Sequence, residues 1–112
     1  MKICIIGNGL VSLTLANVLI QKNLSVDILF NSKSKKYNKT RTLGISRSNV
    51  DYFNKEIIDI KKILWEIKNI KVSTENFSNN EILNFKNDKK QIFSIIKNYK
   101  LYEILNKNLK KK

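Results

Sequence analysis

With 112 residues the chain is one small domain or a part of a larger one, able to bury roughly two-thirds of its unfolded surface. Twenty-two Lys and Arg against nine Asp and Glu leave a formal charge of +13, which admits nucleic acid, an anionic surface or a phosphate as partner. Histidine is absent, which excludes Ser–His and Cys–His catalysis and His-ligated metal sites, and a lone Cys4 excludes an internal disulfide or a thiolate metal site.

The basic excess is almost all lysine, beside abundant Ile and Asn and without proline. That reads as compositional drift, since a nucleic-acid surface more often uses arginine forks interleaved with exposed aromatics. Lys2 and the uncharged run Ile3 to Ile20 imitate a signal peptide or membrane anchor. Gly7, Asn8 and Gly9 interrupt that run, and Ser12, Thr14 and Asn17 lower its hydrophobicity. It therefore reads as the start of a βαβ unit in a cytoplasmic protein with no membrane span.

Ile3-Cys4-Ile5-Ile6 is a short apolar run of the kind found in a parallel strand buried on both faces, and Cys4 reads as a core residue in a reducing compartment. Gly7-Asn8-Gly9 follows as a turn. Leu10, Leu13, Ala16, Val18 and Leu19 then share the apolar side of a helix, with Leu15 near its edge. Val26 to Phe30 supplies a second strand after a polar corner at Gln21 to Asn23. A residue without Cβ lets the chain reverse at Gly7, and a second at Gly9 lets backbone amides approach a diphosphate closely. The helix behind them carries unpaired amides and partial positive charge at its start, which favours an anion. Ser12 stands where a third glycine often permits tight helix–strand packing. A glycine turn with no ligand has the same pattern.

In adenine dinucleotide sites the second strand usually ends in a carboxylate that accepts from the ribose; here that place holds Phe30, with Asn31 the nearest polar substitute. The basic loop that follows offers Lys33, Lys35 and Lys36 to a 2′-phosphate, or is a solvated loop. Arg41-Thr42-Leu43-Gly44-Ile45-Ser46 is a short apolar stretch led by arginine. Ser46 or Ser48 then caps a helix from Arg47 through Val50 and Phe53. Ile57, Ile60, Ile63 and Leu64 continue at helical spacing to Trp65, a packing residue or a flavin-stacking one. From Ile67 the period alternates, and Ile67 to Ser73, Glu81 to Phe85 and Gln91 to Ile96 read as strands of an antiparallel meander. Turns fall at Ser78 to Asn80 and Asn87 to Lys90. Leu101, Ile104, Leu105 and Leu109 make a last amphipathic helix ending in lysines.

In this order the chain resembles the amino-terminal part of the FAD-dependent aromatic hydroxylases, closest to those of ubiquinone biosynthesis, relatives of para-hydroxybenzoate hydroxylase. Ile5-Ile6-Gly7-Asn8-Gly9-Leu10-Val11-Ser12 stands where that family has its FAD turn. Arg41 to Ser46 is similar to its arginine-led segment, and Trp65 to Phe93 to the strands that begin its substrate-side sheet. Ile95-Ile96-Lys97-Asn98-Tyr99-Lys100-Leu101 with Leu105 resembles the strand-to-helix join where Gln or Asn approaches the flavin.

The resemblance implies an incomplete α/β FAD/NAD(P)-binding Rossmann-like fold of glutathione-reductase type with an antiparallel β-meander. Residues 1–66 would begin the FAD-binding domain, 67–97 the substrate-side sheet, and 98–112 a helix returning to the first. It implies a flavin monooxygenase acting on a phenolic quinone precursor, with NAD(P)H as reductant. Gly7, Gly9, Leu10, Val11, Ser12, Asn31, Arg41 and Asn98 would hold FAD, with no catalytic acid or base and no metal. The family's later Gly-Asp flavin segment never arrives, so a truncated chain, inactive alone or completed by a second chain, is expected. A small NAD(P)-binding module and a basic nucleic-acid binder are the alternatives.

Overall fold

The computed structural model describes residues 1–31, 39–73, 75, 81–86 and 92–110. Strand β1 (Lys2–Ile6), helix α1 (Leu10–Gln21) and strand β2 (Ser25–Leu29) form the expected unit, with the two strands parallel and Ile3 opposite Val26, Ile5 opposite Ile28. Alternation along each strand turns Ile3, Ile5, Val26 and Ile28 inward. The opposite face carries Lys2, Cys4, Ile6, Asp27 and Leu29 and is exposed. Lys2 Nζ lies 3.0 Å from Asp27 Oδ2 there.

Burial on both faces is therefore not found, and Cys4 is exposed rather than in the core. An apolar run shows that a strand could be covered on both sides. It does not show that the described chain has anything to cover the second side.

Helix α1 ends in a Schellman closure. Asn23 takes φ 62°, its amide donates to Ile20 O at 2.9 Å and that of Leu24 to Leu19 O at 3.1 Å. Asparagine tolerates this left-handed conformation better than most residues. Leu13, Ala16 and Asn17 are the buried residues of α1.

After residues 32–38 the chain enters strand β3 (Thr42–Ser46), a strand not foreseen from its short apolar stretch, and helix α2 (Arg47–Tyr52). Ser46 caps α2 as expected, its hydroxyl accepting from Asn49 N at 3.3 Å. The helix does not run on to Trp65. A π-helical turn, Phe53–Ile57, closes it with Ile58 N donating to Phe53 O at 2.8 Å. Asn54 Oδ1 then accepts from Ile60 N at 2.8 Å, holding the chain as it leaves the helix. A 3-10 turn at Lys61–Ile63 leads into strand β4 (Leu64–Ile67). Ile57 and Ile60 are buried from this irregular segment, so their helical spacing reports burial without a helix.

Strands β5 (Asn69–Ser73) and β6 (Glu81–Lys86) form an antiparallel hairpin of their own. Strand β7 (Phe93–Lys97) does not continue it as a meander. It lies between β3 and β4, antiparallel to both. The chain changes sheet at Lys68, between β4 and β5. The turns expected at Ser78 to Asn80 and Asn87 to Lys90 lie outside the described residues.

Helix α3 (Asn98–Lys110) packs on α1 and closes the core. Leu13, Ile45, Val50, Ile57, Ile60, Ile96, Leu101 and Leu105 form one buried cluster joining all three helices to the three-stranded sheet. Within it Asn17 is fully buried. Its amide donates to Leu13 O at 2.8 Å and to Leu105 O at 3.3 Å, and its Oδ1 accepts from Asn108 Nδ2 at 2.6 Å.

Asn17→Ala leaves the Leu105 carbonyl and the Asn108 amide without this partner and is expected to cost about 1–3 kcal/mol, read from urea unfolding by circular dichroism. A midpoint equal to wild type would show that the clamp carries no stability. Cys4, exposed in the native chain, should react with a thiol reagent without denaturant; protection until unfolding would refute the open face.

Candidate functional site

The turn Gly7-Asn8-Gly9 lies at the junction of β1 and α1. Gly7 has φ 109°, a conformation that L side chains rarely adopt. Space is not the constraint, since a Cβ there would meet only Ser12 Oγ at 3.6 Å. Gly7 N donates to Leu29 O at 2.7 Å, which extends the parallel ladder by one bond and ties the turn to the end of β2.

Gly9 is the N-cap of α1 at φ −72°, ψ 177°, and its carbonyl accepts from Leu13 N at 3.0 Å. No side chain caps this end, and no acidic residue stands in the first turn. A Cβ on Gly9 would meet nothing within 4 Å. The positive end of a twelve-residue helix is thus open to an approaching anion. Leu10 is half-buried against the core, Val11 points to solvent at 83% exposure, and Ser12 is half-buried beneath Gly7.

Phe30 and Asn31 follow β2, both exposed. The Phe30 side chain has no atom that accepts from a ribose hydroxyl, so the place of a dinucleotide-binding carboxylate is held by an apolar side chain. Lys33, Lys35 and Lys36 lie outside the described residues.

Arg41 and Asn98 are brought together by pairing of β3 with β7. Asn98 N donates to Arg41 O at 3.0 Å, where β7 passes into α3. Asn98 Oδ1 is buried and has no hydrogen-bond partner among the described residues. An enclosed acceptor without a partner costs about 1–3 kcal/mol. Lys39 Nζ stands 5.8 Å from the centre of the Tyr99 ring beside this junction, a cation–π pair that sequence reasoning missed, because only the β3–β7 register brings the two residues together. The glycine turn and the Arg41–Asn98 junction are linked by packing. Leu10 and Leu13 of α1 share the core with Ile45 of β3 and Ile96 of β7.

Among the described residues no group of His, Cys, Asp and Glu could hold a metal ion, and no helix is long and apolar enough to cross a membrane.

No family model matches this sequence, and no curated protein does. Solved structures do share its fold. HpxO from Klebsiella pneumoniae, in complex with FAD and uric acid, superposes with a TM-score of 0.75 at 16% identity, over 97% of this chain and 28% of HpxO. FqzB gives 0.74 at 16%, over 99% of this chain and 26% of its own. The 2,6-dihydroxypyridine-3-hydroxylase from Arthrobacter nicotinovorans gives 0.66 at 14%, over 93% and 25%. The likeness is one of fold, a mixed α/β arrangement, and the chain spans about a quarter of the length of each.

The two glycines should separate on substitution. Gly7→Ala forces a Cβ into positive φ and is expected to lose about 1–2 kcal/mol of stability. Gly9→Ala, with ordinary φ and open space, should stay within about 0.5 kcal/mol of wild type in the same urea titration. Equal losses at both would contradict the turn geometry.

Proposed function

We propose that this chain is the amino-terminal, FAD-binding portion of a flavin monooxygenase that hydroxylates a phenolic quinone precursor, of the kind used in ubiquinone biosynthesis. The observation that carries the proposal is the uncapped start of α1 behind a strand and a glycine turn, with nothing over Gly9. The fold shared with an FAD complex supports it.

The residues present fit the diphosphate end of FAD and depart at the ribose. Amides at the start of α1, at Leu10, Val11 and Ser12, would donate to the diphosphate, and Gly9 keeps the approach clear. Arg41, exposed at the head of β3, would offset phosphate charge. Asn98, at the join of β7 and α3, would hydrogen-bond near the flavin. The Phe30 side chain offers the ribose no acceptor, and Asn31 would stand in for it. When bound, the flavin supplies the redox chemistry with NAD(P)H as reductant; the chain binds and orients it. No residue of the chain is assigned a proton-transfer role.

In this reading residues 1–66 and 98–112 belong to the cofactor-binding domain and 67–97 to the substrate-side sheet. In this reading the chain works in the cytoplasm, and the rest of such a monooxygenase lies outside these 112 residues, which span about a quarter of each structure of like fold.

Titration of purified protein with FAD, read by quenching of flavin fluorescence, should show saturable binding. Gly9→Val places a branched side chain over the first turn and should weaken it by about tenfold or more, the worth of one or two charge-assisted hydrogen bonds. NADPH binding without FAD binding would replace this reading by a small NAD(P)-binding module.

A further inference from the structure

We propose that the outer face of the three-stranded sheet holds a second ligand site, built for a planar ring that carries negative charge. A groove of about 400 Å³ opens there, within the range of small-molecule pockets. The register explains its lining. Trp65 of β4 lies opposite Ile95 of β7, and Lys97, two residues further along β7, lies opposite Thr42 of β3. Ile95 and Lys97 therefore point to one face. Lys62 from the 3-10 turn and Lys100 from the first turn of α3 also line the groove.

The groove is thus lined by one large aromatic side chain and three lysines. Trp65 is the only tryptophan of the chain and is 71% exposed, although such a side chain is normally mostly buried. Neither the Lys2–Asp27 nor the Lys55–Glu56 ion pair involves Lys62, Lys97 or Lys100. A ring stacked on the indole would cover its apolar face, and a phosphate or carboxylate tail would meet the lysines. An apolar polypeptide seated here would bury three ammonium groups without compensation, which is costly. The groove shares no lining residue with the glycine turn and includes neither Arg41 nor Asn98, although Thr42 and Lys97 adjoin those two.

The chemistry required, a ring joined to an anion, is supplied by a nucleotide or by an aromatic acid. The sole tryptophan makes the test direct. ADP and 2-naphthoate are titrated separately at low salt while Trp65 fluorescence is followed, with adenosine and pyrophosphate as controls. At least one of the two ring-bearing anions should quench Trp65 saturably, and which one does so identifies the source. Its neutral or ringless control should bind roughly tenfold more weakly, because stacking and charge pairing each contribute about that factor. Lys97→Ala combined with Lys100→Ala should weaken binding by about tenfold or more while the circular dichroism is unchanged. Lys62→Ala, outside the regular elements, serves if the double variant does not fold. Absence of saturable quenching by both probes would overturn the proposal. So would pyrophosphate binding as well as ADP, an unaltered affinity in the lysine variants, or a twelve-residue oligothymidylate binding far more tightly than ADP.

Discussion

One buried amide fixes the relation of the first helix to the last. Asn17 is fully enclosed, yet each polar atom of its side chain is satisfied, by Leu13 O, Leu105 O and Asn108 Nδ2. Hydrophobic packing between α1 and α3 is tolerant of sliding, because one leucine contact substitutes for another. A hydrogen-bonded polar group in the same interface is not, since displacement by one residue strands it. The Leu105 carbonyl and the Asn108 amide sit one turn apart on α3, so Asn17 sets both rotation and register. Everything that positions the candidate site follows from that. α1 begins at the glycine turn, α3 begins at Asn98, and the two are held at one spacing through their shared core.

Around this clamp the rest of the molecule is secured by local polar contacts at points where regular structure fails. Gln21 Nε2 donates to Ile57 O at 2.7 Å, attaching the last turn of α1 to the end of the π-helical turn. Asn54 holds Ile60, and Asp59 Oδ1 accepts from Lys61 N at 2.9 Å. Together they route the chain out of α2 and into β4 with Ile57 and Ile60 kept inside. The β5–β6 hairpin is different, since it pairs with itself and makes little contact with other elements.

The sequence was legible where the signal was local. The β1–α1–β2 unit follows from an apolar run, two glycines and a helical period, and the Ser46 cap and the helix with Leu101 and Leu105 follow from spacing alone. Three features were not legible, each for a physical reason. Ile57, Ile60, Ile63 and Leu64 have helical spacing, but Ile58 and Asp59 between them are extended or irregular, and a side chain three residues on can be buried by either path. The place of β7 between β3 and β4 depends on pairing across roughly half the chain, which no window of sequence reports. The exposure of Cys4 and Trp65 depends on what lies over them, not on their own strands. At the candidate site, the strand–turn–helix junction was legible from local spacing, and Asn98 entered through the family resemblance alone. The orphaned state of Asn98 Oδ1 was not, because it needs the coordinates of every potential donor.

The bond from Gly7 N to Leu29 O narrows the ways in which the turn can work. That amide is already the last rung of the sheet and is closed to any visitor. Whatever settles on the bend must therefore be gripped from Asn8 onward, on the helix side of that rung. The same rung makes the bend and the tail of β2 a single lever: a displacement of Phe30 would pull on Gly7 through one peptide unit, so the bend and the end of β2 would yield or hold together.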